Sequence, residues 1–384
     1  MGKKQKRVLI ALGWYDYRLH RGIEKYAQEH GWHLSEDLAR EKVIPWGWDG
    51  DGILAWLAGD DDLADFVVHT GKPTVDFSFR RSHLPFARVL EDHAMAAQLV
   101  ADHFLTRGLR NLSFYSDVDN WVHEERGQAF ARALKQAGRE CTWIRWYQSP
   151  SSRNARSDRK AWQRKRDWLA AQLRHAPKPL GLFTAVDGLA LDVLETCERL
   201  GIAVPEEVAI IGAGNSLLAV EAMQTPISSV DGNLELVGYR GAELLDDLMA
   251  GRPVPKQPVR IPPAGLIARK SSDLMAVKHS GIARSLHFIW EHYHESIGIQ
   301  DLMKISAMSR SGLHQAFLEQ VGRSPGHELH RVRIEQAKRL LSESNRKMEV
   351  VAEMCGYQSA NSFWVAFKKS TGLSPHQYRK TFLR

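Results

Sequence analysis

Two short stretches of this sequence carry side chains suited to reading the edges of DNA bases. Arg310, Ser311, His314 and Gln315 open one helical pattern, and Ser359, Ala360, Asn361, Trp364 and Val365 open another. A helix lying in the major groove presents its N-terminal residues to the bases, where Arg matches guanine and Gln or Asn matches adenine. The two stretches are copies of one another. At an offset of 50, Ser309 pairs with Ser359, Ala316 with Ala366, Phe317 with Phe367, Gly322 with Gly372, Ser324 with Ser374 and Pro325 with Pro375. The Ser before each helix is a suitable N-cap and the Gly after it a suitable stop. Leu313 with Phe317, and Phe363 with Phe367, stand four apart and so face one core. Each copy reads as a short helix, a tight turn and a longer helix, which predicts helix-turn-helix motifs at about 299–321 and 349–370. A plain helical bundle has the same apolar spacing; the duplication with matching caps favours the helix-turn-helix.

A second constellation suits a small polar ligand. Sugars are held by carboxylates, amides and Arg on their hydroxyls, with an aromatic face against their C–H surface. Residues of these types follow apolar, strand-like runs: Trp14, Tyr15 and Asp16 after Val8–Leu12, Asp76 in Pro73–Phe77, and Trp121 and Arg126 after Asn111–Tyr115. Asp187 follows Leu180–Thr184, Asn215 follows Val208–Gly212, and Asp231 lies in the next segment. In open α/β sheets, ligands bind outside the carboxyl ends of the strands. The alternative for each is a loop or core role, above all for tryptophan, since the chain has 12 and most of them must pack. Catalysis finds no anchor. No Gly-x-Ser-x-Gly, His-Glu-x-x-His or Walker pattern occurs, and Gly212-x-Gly214 has Leu217 where a dinucleotide fingerprint needs its third glycine. His292 and His294, beside Glu291 and Glu295, are two apart and do not share a helix face. Neither an enzyme, a cofactor nor a metal is expected.

The elements that position these residues fall into two regimes. Up to residue 270 the strand-like runs, which include Gly52–Trp56, alternate with helical periods at Leu19–His30, Met95–Arg107, Glu124–Ala137, Trp162–His175, Asp187–Leu200 and Leu234–Met249. That alternation implies parallel sheets, and its length implies two doubly wound lobes. After a Pro-rich stretch and Lys270-Ser271-Ser272-Asp273 the pattern becomes wholly helical, with periods at Ile282–Ser296, Asp301–Ala307, Ser311–Val321, Pro325–Leu341, Glu349–Cys355 and Asn361–Ser370. The expected division is 1–272, a linker 273–281, and 282–384. Charge follows it. Residues 271–384 hold 16 Lys+Arg against 10 Asp+Glu, while residues 1–270 hold 36 against 35. A positive last third suits a polyanion, whereas the basic stretch Arg153–Arg166 reads as a loop and a solvated helix. The 384 residues contain three scattered cysteines, and no run approaches the ~18 apolar residues of a membrane span. The apolar run behind the basic N-terminus stops after five residues, too short for a signal peptide. A cytoplasmic protein is expected.

The segment 348–379, which contains Met-Cys-Gly-Tyr-Gln-Ser-Ala-Asn-Ser-Phe-Trp-Val-Ala-Phe-Lys-Lys-Ser-Thr-Gly-Leu-Ser-Pro, resembles the signature of AraC/XylS-type transcription regulators. Arg333–Leu341 resembles that family's helix linking its two helix-turn-helices. Gly201-Ile-Ala-Val-Pro-Glu-Glu-Val-Ala-Ile-Ile-Gly-Ala-Gly-Asn215, Pro226–Asp231 and Val237–Leu245 resemble the effector domain of LacI-type regulators, itself similar to periplasmic sugar-binding proteins. The resemblance implies an α/β two-lobed, periplasmic-binding-protein-like domain followed by an all-α domain with two helix-turn-helix motifs. It implies a sequence-specific regulator of a sugar-catabolic operon, most simply an activator switched by D-xylose between the lobes. Double-stranded DNA, RNA polymerase and a second copy of the chain are the implied partners. Arg126 and Asp187 match sugar-contacting positions of the LacI-like pattern. Two departures stand out. Ala360 and Val365 replace longer polar residues often seen in the second reading helix, which suggests phosphate and shape contacts there. Gly214 replaces an Asp that often holds a sugar hydroxyl, with Asp231 or Asn233 near enough in sequence to compensate, and this leaves a different sugar open. The rival classes are a DNA-tethered α/β enzyme and a transport binding protein. The first lacks a catalytic constellation, and the second has no use for the helical domain.

Overall fold

The computed structural model describes residues 5–36, 38, 43–59, 61–117, 120–146, 160–216, 224–273 and 280–382. Most of the expected linker, and residues 153–159 of the basic stretch, lie outside the described residues. The chain divides into two compact units, Met1–His103 with Asn111–Ser272, and Phe104–Arg110 with Asp273–Arg384.

The first unit begins with β1 (Arg7–Leu12), α1 (Tyr17–His30), β2 (His33–Ser35), β3 (Gly52–Trp56), α2 (Asp61–Thr70), β4 (Thr74–Asp76) and β5 (Ala87–Glu91). It continues with α3 (His93–Thr106), β6 (Asn111–Asp117), α4 (Trp121–Gln136), β7 (Thr142–Trp146), α5 (Ala161–His175), β8 (Leu180–Thr184), α6 (Asp187–Leu200) and β9 (Val208–Ala213). It ends with β10 (Ser228–Asp231), α7 (Leu234–Met249), β11 (Val259–Ile261) and β12 (Gly265–Ile267). Two sheets result. One has the order β11-β5-β4-β3-β1-β2, and the other β12-β10-β9-β8-β6-β7. Among the described residues every pairing is parallel except β10 with β12. The chain therefore passes between sheets three times: after Glu91, between Asp231 and β11, and between β11 and β12.

A parallel sheet covered on both faces buries both side-chain sets of each strand. β1 does so: Val8, Ile10 and Leu12 join one apolar cluster with α1 and α7, while Leu9 and Ala11 join another with Leu63, Phe66 and Val67 of α2. α7 returns to the first sheet and lies along α1, where Gly22 and Gly238 allow the backbones to meet; a Cβ on Gly22 would collide with the Glu235 carbonyl, and one on Gly238 with that of Leu19. Asp76 ends β4 with no exposed surface. Its Oδ1 accepts from the amides of Leu57 (3.1 Å) and Ser78 (2.9 Å), and its Oδ2 from the Ser78 hydroxyl (3.1 Å).

The second unit has no strand among its described residues. It runs α8 (Ser280–His292), α9 (Ile299–Ser306), α10 (Arg310–Val321), α11 (Pro325–Glu343), α12 (Met348–Met354), α13 (Ala360–Thr371) and α14 (Pro375–Phe382). Both long helices of the repeat are capped alike. Ser309 Oγ accepts from Gly312 N and Ser359 Oγ from Ser362 N, and Gly322 and Gly372 close the helices at φ 75° and 76°. Leu313 and Phe317 are buried with Ile282, Leu286 and Leu302; Phe363 and Phe367 are buried with Val351, Ala352 and Cys355. α11 serves both cores, giving Val332 to the first and Ile334, Ala337 and Leu341 to the second.

Two predictions follow from this packing. Phe367 has no exposed surface and stacks against Phe363 and Tyr378 at ring distances of 5.5 and 5.3 Å. Phe367→Ala should cost about 3–5 kcal/mol in denaturant unfolding; a loss below about 1 kcal/mol would mean this second core is not a packed unit. For Asp76, burial pushes the carboxyl up to about 6. The folded chain then keeps a proton that the unfolded chain releases near pH 4, so stability should fall as pH rises from about 4 to 6 and level off above. Asp76→Asn should flatten that part of the curve, and an unchanged slope would assign the pH dependence elsewhere.

Candidate ligand cleft and nucleic-acid interface

Charged side chains converge where the first crossing leaves β5. Arg126 of α4, on the second sheet's side, reaches Glu91 at the end of β5: its Nη2 donates to Oε2 at 3.0 Å and Oε1 at 3.3 Å. The same guanidinium donates from Nη1 to the Ala185 carbonyl (2.6 Å) and from Nε to His93 Nδ1 (3.3 Å). Burial first, then the nearby guanidiniums of Arg126 and Arg260, hold His93 well below its ordinary pKa, so its ring is neutral and able to accept. Burial also raises the Glu91 carboxyl, against the pull of Arg126 and Arg18.

A second Arg spans the lobes. Arg18, at the start of α1, donates from Nη1 to the carbonyls of Gly214 (2.6 Å) and Asn215 (3.2 Å). Asp16 holds it from the other side, with Oδ1 accepting from Arg18 N and Nε and Oδ2 from Nη2 at 2.8 Å. Burial alone would raise the Asp16 carboxyl; the hydrogen bonds and charge of Arg18 outweigh it and leave the pKa below the usual value.

Asp187 opens α6 and is buried. Its Oδ1 accepts from the Ser229 hydroxyl at 2.6 Å and its Oδ2 from the Ser216 amide at 2.8 Å. Desolvation raises this carboxyl too, while Arg126 and Arg18 draw it back. Asn215 donates to Asp231 Oδ2 (3.3 Å), and Asp231 Oδ1 accepts from the Asn233 amide (2.8 Å). Beside the Glu91–Arg126 pair lies a cavity of ≈ 10 Å³, lined in part by Glu91, His93, Arg126, Gly214 and Gly232. That is about the room of one water.

Of the residues expected around a sugar, Asp16, Arg126, Asp187, Asn215 and Asp231 therefore belong to one electrostatic neighbourhood. Trp14 and Tyr15 are exposed beside it; Trp14 packs on Trp56 at 5.5 Å, and the Tyr15 hydroxyl meets His20 Nδ1 at 3.0 Å. Trp121 lies 6.4 Å from the His93 ring. Asp76 differs: its carboxylate is spent on the backbone at the end of β4. Three residues were not foreseen, Arg18, Glu91 and His93. Arg18 was signalled only by standing two residues after Asp16, and Glu91 and His93 flank the end of a strand that the apolar pattern did not reveal. Gly214 sits at φ 119°, with Asp187 Oδ2 3.4 Å from where a Cβ would stand, so a side chain there would be strained.

In the second unit Arg310, Ser311, His314 and Gln315 are exposed together on the first turns of α10, and the Gln315 amide donates to Glu319 at 2.9 Å. On α13, Asn361, Trp364 and Val365 are exposed, with Trp364 and Val365 at 39% and 54%. Ser359 is exposed as well, but its hydroxyl caps the helix and meets Ser362 Oγ at 3.1 Å. Lys368 lies over the Trp364 ring at 4.8 Å, and Lys369 follows it, so this helix adds cations that the sequence reading had not singled out. Half-buried His292 and exposed His294 both lie near Glu295, at 2.9 and 3.7 Å.

Comparison with known proteins places these features in context. A periplasmic-binding-protein-like domain matches residues 101–272, and a helix-turn-helix domain matches residues 302–381. The chain is 26% identical over 374 residues to the xylose operon regulatory protein of Escherichia coli K12, covering 95% of this chain and 94% of that protein. It is 26% identical over 338 residues to the protein of the same description from Haemophilus influenzae, covering 86% and 84%. Among solved structures, the xylose-binding transcription activator xylR superposes with a TM-score of 0.61 at 24% identity, with both chains fully covered, which bears on the fold. The chain thus joins a periplasmic-binding-protein-like domain to an AraC-type helix-turn-helix domain, the build of a transcription regulator and not of an enzyme, and is homologous along 95% of its length to the xylose operon regulatory protein.

Proposed function

We propose that this regulator binds D-xylose between the two lobes of its first unit and, as a cytoplasmic homodimer working with RNA polymerase, turns on a sugar-catabolic operon. The observation that carries the reading is the meeting of Asp16, Arg18, Glu91, Arg126, Asp187 and Asp231, drawn from both lobes, at the first crossing of the chain. These are the donors and acceptors that sugar hydroxyls need, and Trp14 and Trp121 stand beside them as apolar faces. Because the cavity there is water-sized, a pentose enters only if the Glu91–Arg126 pair gives way. Hydroxyls then replace the carboxylate on Arg126, and the lobes settle at a new angle. A switch of this kind needs a coupling of only ~1–3 kcal/mol between sugar and DNA. The DNA contacts are assigned to Arg310, Ser311, His314 and Gln315 for base edges, to Asn361 for a further base, and to Ser359 and Trp364, with the lysines behind Trp364, for backbone and shape. No helix among the described residues is long and apolar enough to cross a membrane.

A different sugar is the second reading, and Gly214 favours it: glycine has no side chain to supply the carboxylate that Asp would, and Asp231 is already engaged by Asn215 and Asn233.

Thermal unfolding in the presence of pentoses and hexoses separates the two readings. Ligand at 100 times its Kd stabilises the folded state by ~2.7 kcal/mol. D-xylose should give that shift and L-arabinose, D-ribose and D-glucose should not; a response confined to another of these sugars retains the switch and reassigns its effector. Asp187→Ala should remove the sugar shift and leave operator affinity intact. If it weakened DNA binding equally, Asp187 would be a structural residue. On the DNA side, Gln315→Ala should lose discrimination at one base position by ~1–3 kcal/mol, read from binding to a set of singly substituted operators. Uniform weakening across the set would make Gln315 a phosphate contact.

A further inference from the structure

Beyond the cleft and the reading helices, the first unit holds a group of side chains that the regulatory function does not use. His20 lies on the inner face of α1 and is 7% exposed. Its Nδ1 faces the Tyr15 hydroxyl at 3.0 Å, which leaves Nε2 to point away from that partner. Nε2 is buried and has no hydrogen-bond partner. In front of it stand two carboxylates: Glu36 Oε1 at 3.5 Å, from the segment following β2, and Glu24 Oε1 at 3.8 Å, one turn further along α1. Both are too far to accept a good hydrogen bond from the ring. One ligand atom from each of the three residues falls within 4.8 Å of the others.

We propose that His20 Nε2, Glu24 and Glu36 form a binding site for a divalent transition-metal ion, zinc in the first instance. A tetrahedral ion with bonds near 2.1 Å holds its ligand atoms about 3.4 Å apart, close to the separations of Nε2 from the two carboxylates. The spacing of His20 and Glu24, i and i+4, puts two ligands on one face of a helix. A buried polar atom without a partner is costly, and an ion between Nε2 and the carboxylates would supply the missing partner. Tyr15 engages the second ring nitrogen, and when its oxygen accepts from Nδ1–H it serves as an outer partner of the histidine and leaves the Nε2 lone pair for the ion. Imidazole with carboxylates suits zinc and its neighbours in the first transition row, and three protein ligands leave a fourth position for water. The ion would tie the segment after β2 to α1 and fix the ring that Tyr15 rests on, two residues along the chain from Arg18 and its contacts to Gly214 and Asn215.

Cobalt(II) and zinc(II) binding to the full chain tests this. Equilibrium dialysis of the metal-free protein should show one equivalent of Zn²⁺ that is absent from His20→Gln, from Glu36→Gln and from Glu24→Gln. Co²⁺ at the same site should give the intense visible absorption of a tetrahedral centre, lost in the same variants. Tyr15→Phe should keep the stoichiometry and weaken the affinity about 10–100-fold. His292→Ala, at the histidine pair at the end of α8, should leave the tetrahedral spectrum unchanged. If His20→Gln does not fold, the two glutamate variants, whose side chains are partly exposed, carry the test. Equal metal stoichiometry and an equal cobalt spectrum in wild type and all three ligand variants would overturn the site, as would a wild-type chain that takes up no metal.

Discussion

The ion pair between Glu91 and Arg126 is the interaction on which the first unit turns. It sits where the chain first leaves one sheet for the other, and it joins the last residue of β5 to a helix of the opposite lobe. Arg126 is buried and Glu91 half-buried, so removing Glu91 would leave a guanidinium largely out of water without its charged partner. Its surroundings depend on it. Burial, reinforced by the nearby Arg126 guanidinium, holds His93 well below its ordinary pKa, and its Nδ1 faces the Arg126 Nε proton at 3.3 Å. Asp187 feels the same guanidinium from the other side. The Arg18 contact to Gly214 and Asn215 is the second tie between lobes, made to backbone carbonyls and so indifferent to the side chains that face a ligand.

The helical unit rests on a different economy, in which one helix completes two small cores. Neither copy of the motif has enough apolar residues to enclose itself, and α11 contributes to each from successive turns. The start of α11 is held by charge. Glu328 is fully buried, with Arg331 at 2.6 Å and Arg323 at 3.3 Å as its partners and the Trp290 indole donating at 3.4 Å. Within the same compact unit Arg107 is buried against Asp273 at 3.6 Å, and desolvation lowers its pKa to about 10. Buried charges of this sort specify one arrangement more than they stabilise it, as suits a helix that sets the spacing of two reading heads.

Much of this was legible in the sequence, for physical reasons that can be stated residue by residue. The repeat was visible because caps and core positions have chemistry of their own: Ser309 and Ser359 do cap, Gly322 and Gly372 do terminate in the left-handed region, and Leu313, Phe317, Phe363 and Phe367 are all buried. The long parallel strands were visible as continuous apolar runs. The strands that escaped were short or at sheet edges. β2, β11 and β12 have three residues each and sit at the edges. β10 reads Ser-Ser-Val-Asp, without any apolar run, because its serine hydroxyls are engaged by Asp187, the Arg269 carbonyl and the Ser272 hydroxyl instead of by water. β5 is a five-residue strand that carries an Arg and ends in Glu91. Missing that strand meant missing the carboxylate that Arg126 holds. Asp76 shows the converse limit: a carboxylate at a strand end looks the same in sequence whether it faces a ligand or, as here, the amides of Leu57 and Ser78.

The two reading helices show how a duplication can be kept in its core and released on its surface. Core positions matched at an offset of 50 retain apolar character because each motif packs on α11. The outward positions are free of that constraint, and they differ: Arg310, His314 and Gln315 in the first copy against Ala360, Trp364 and Val365 in the second. Long polar side chains read hydrogen-bonding edges; a Trp and a Val cannot, but they suit sugar, methyl and stacked surfaces, and Lys368 over the Trp364 ring adds a cation at the same place. Two copies with the same backbone thus present different chemistry outward, long polar side chains on α10, and Asn361 with Trp364, Val365 and a lysine on α13.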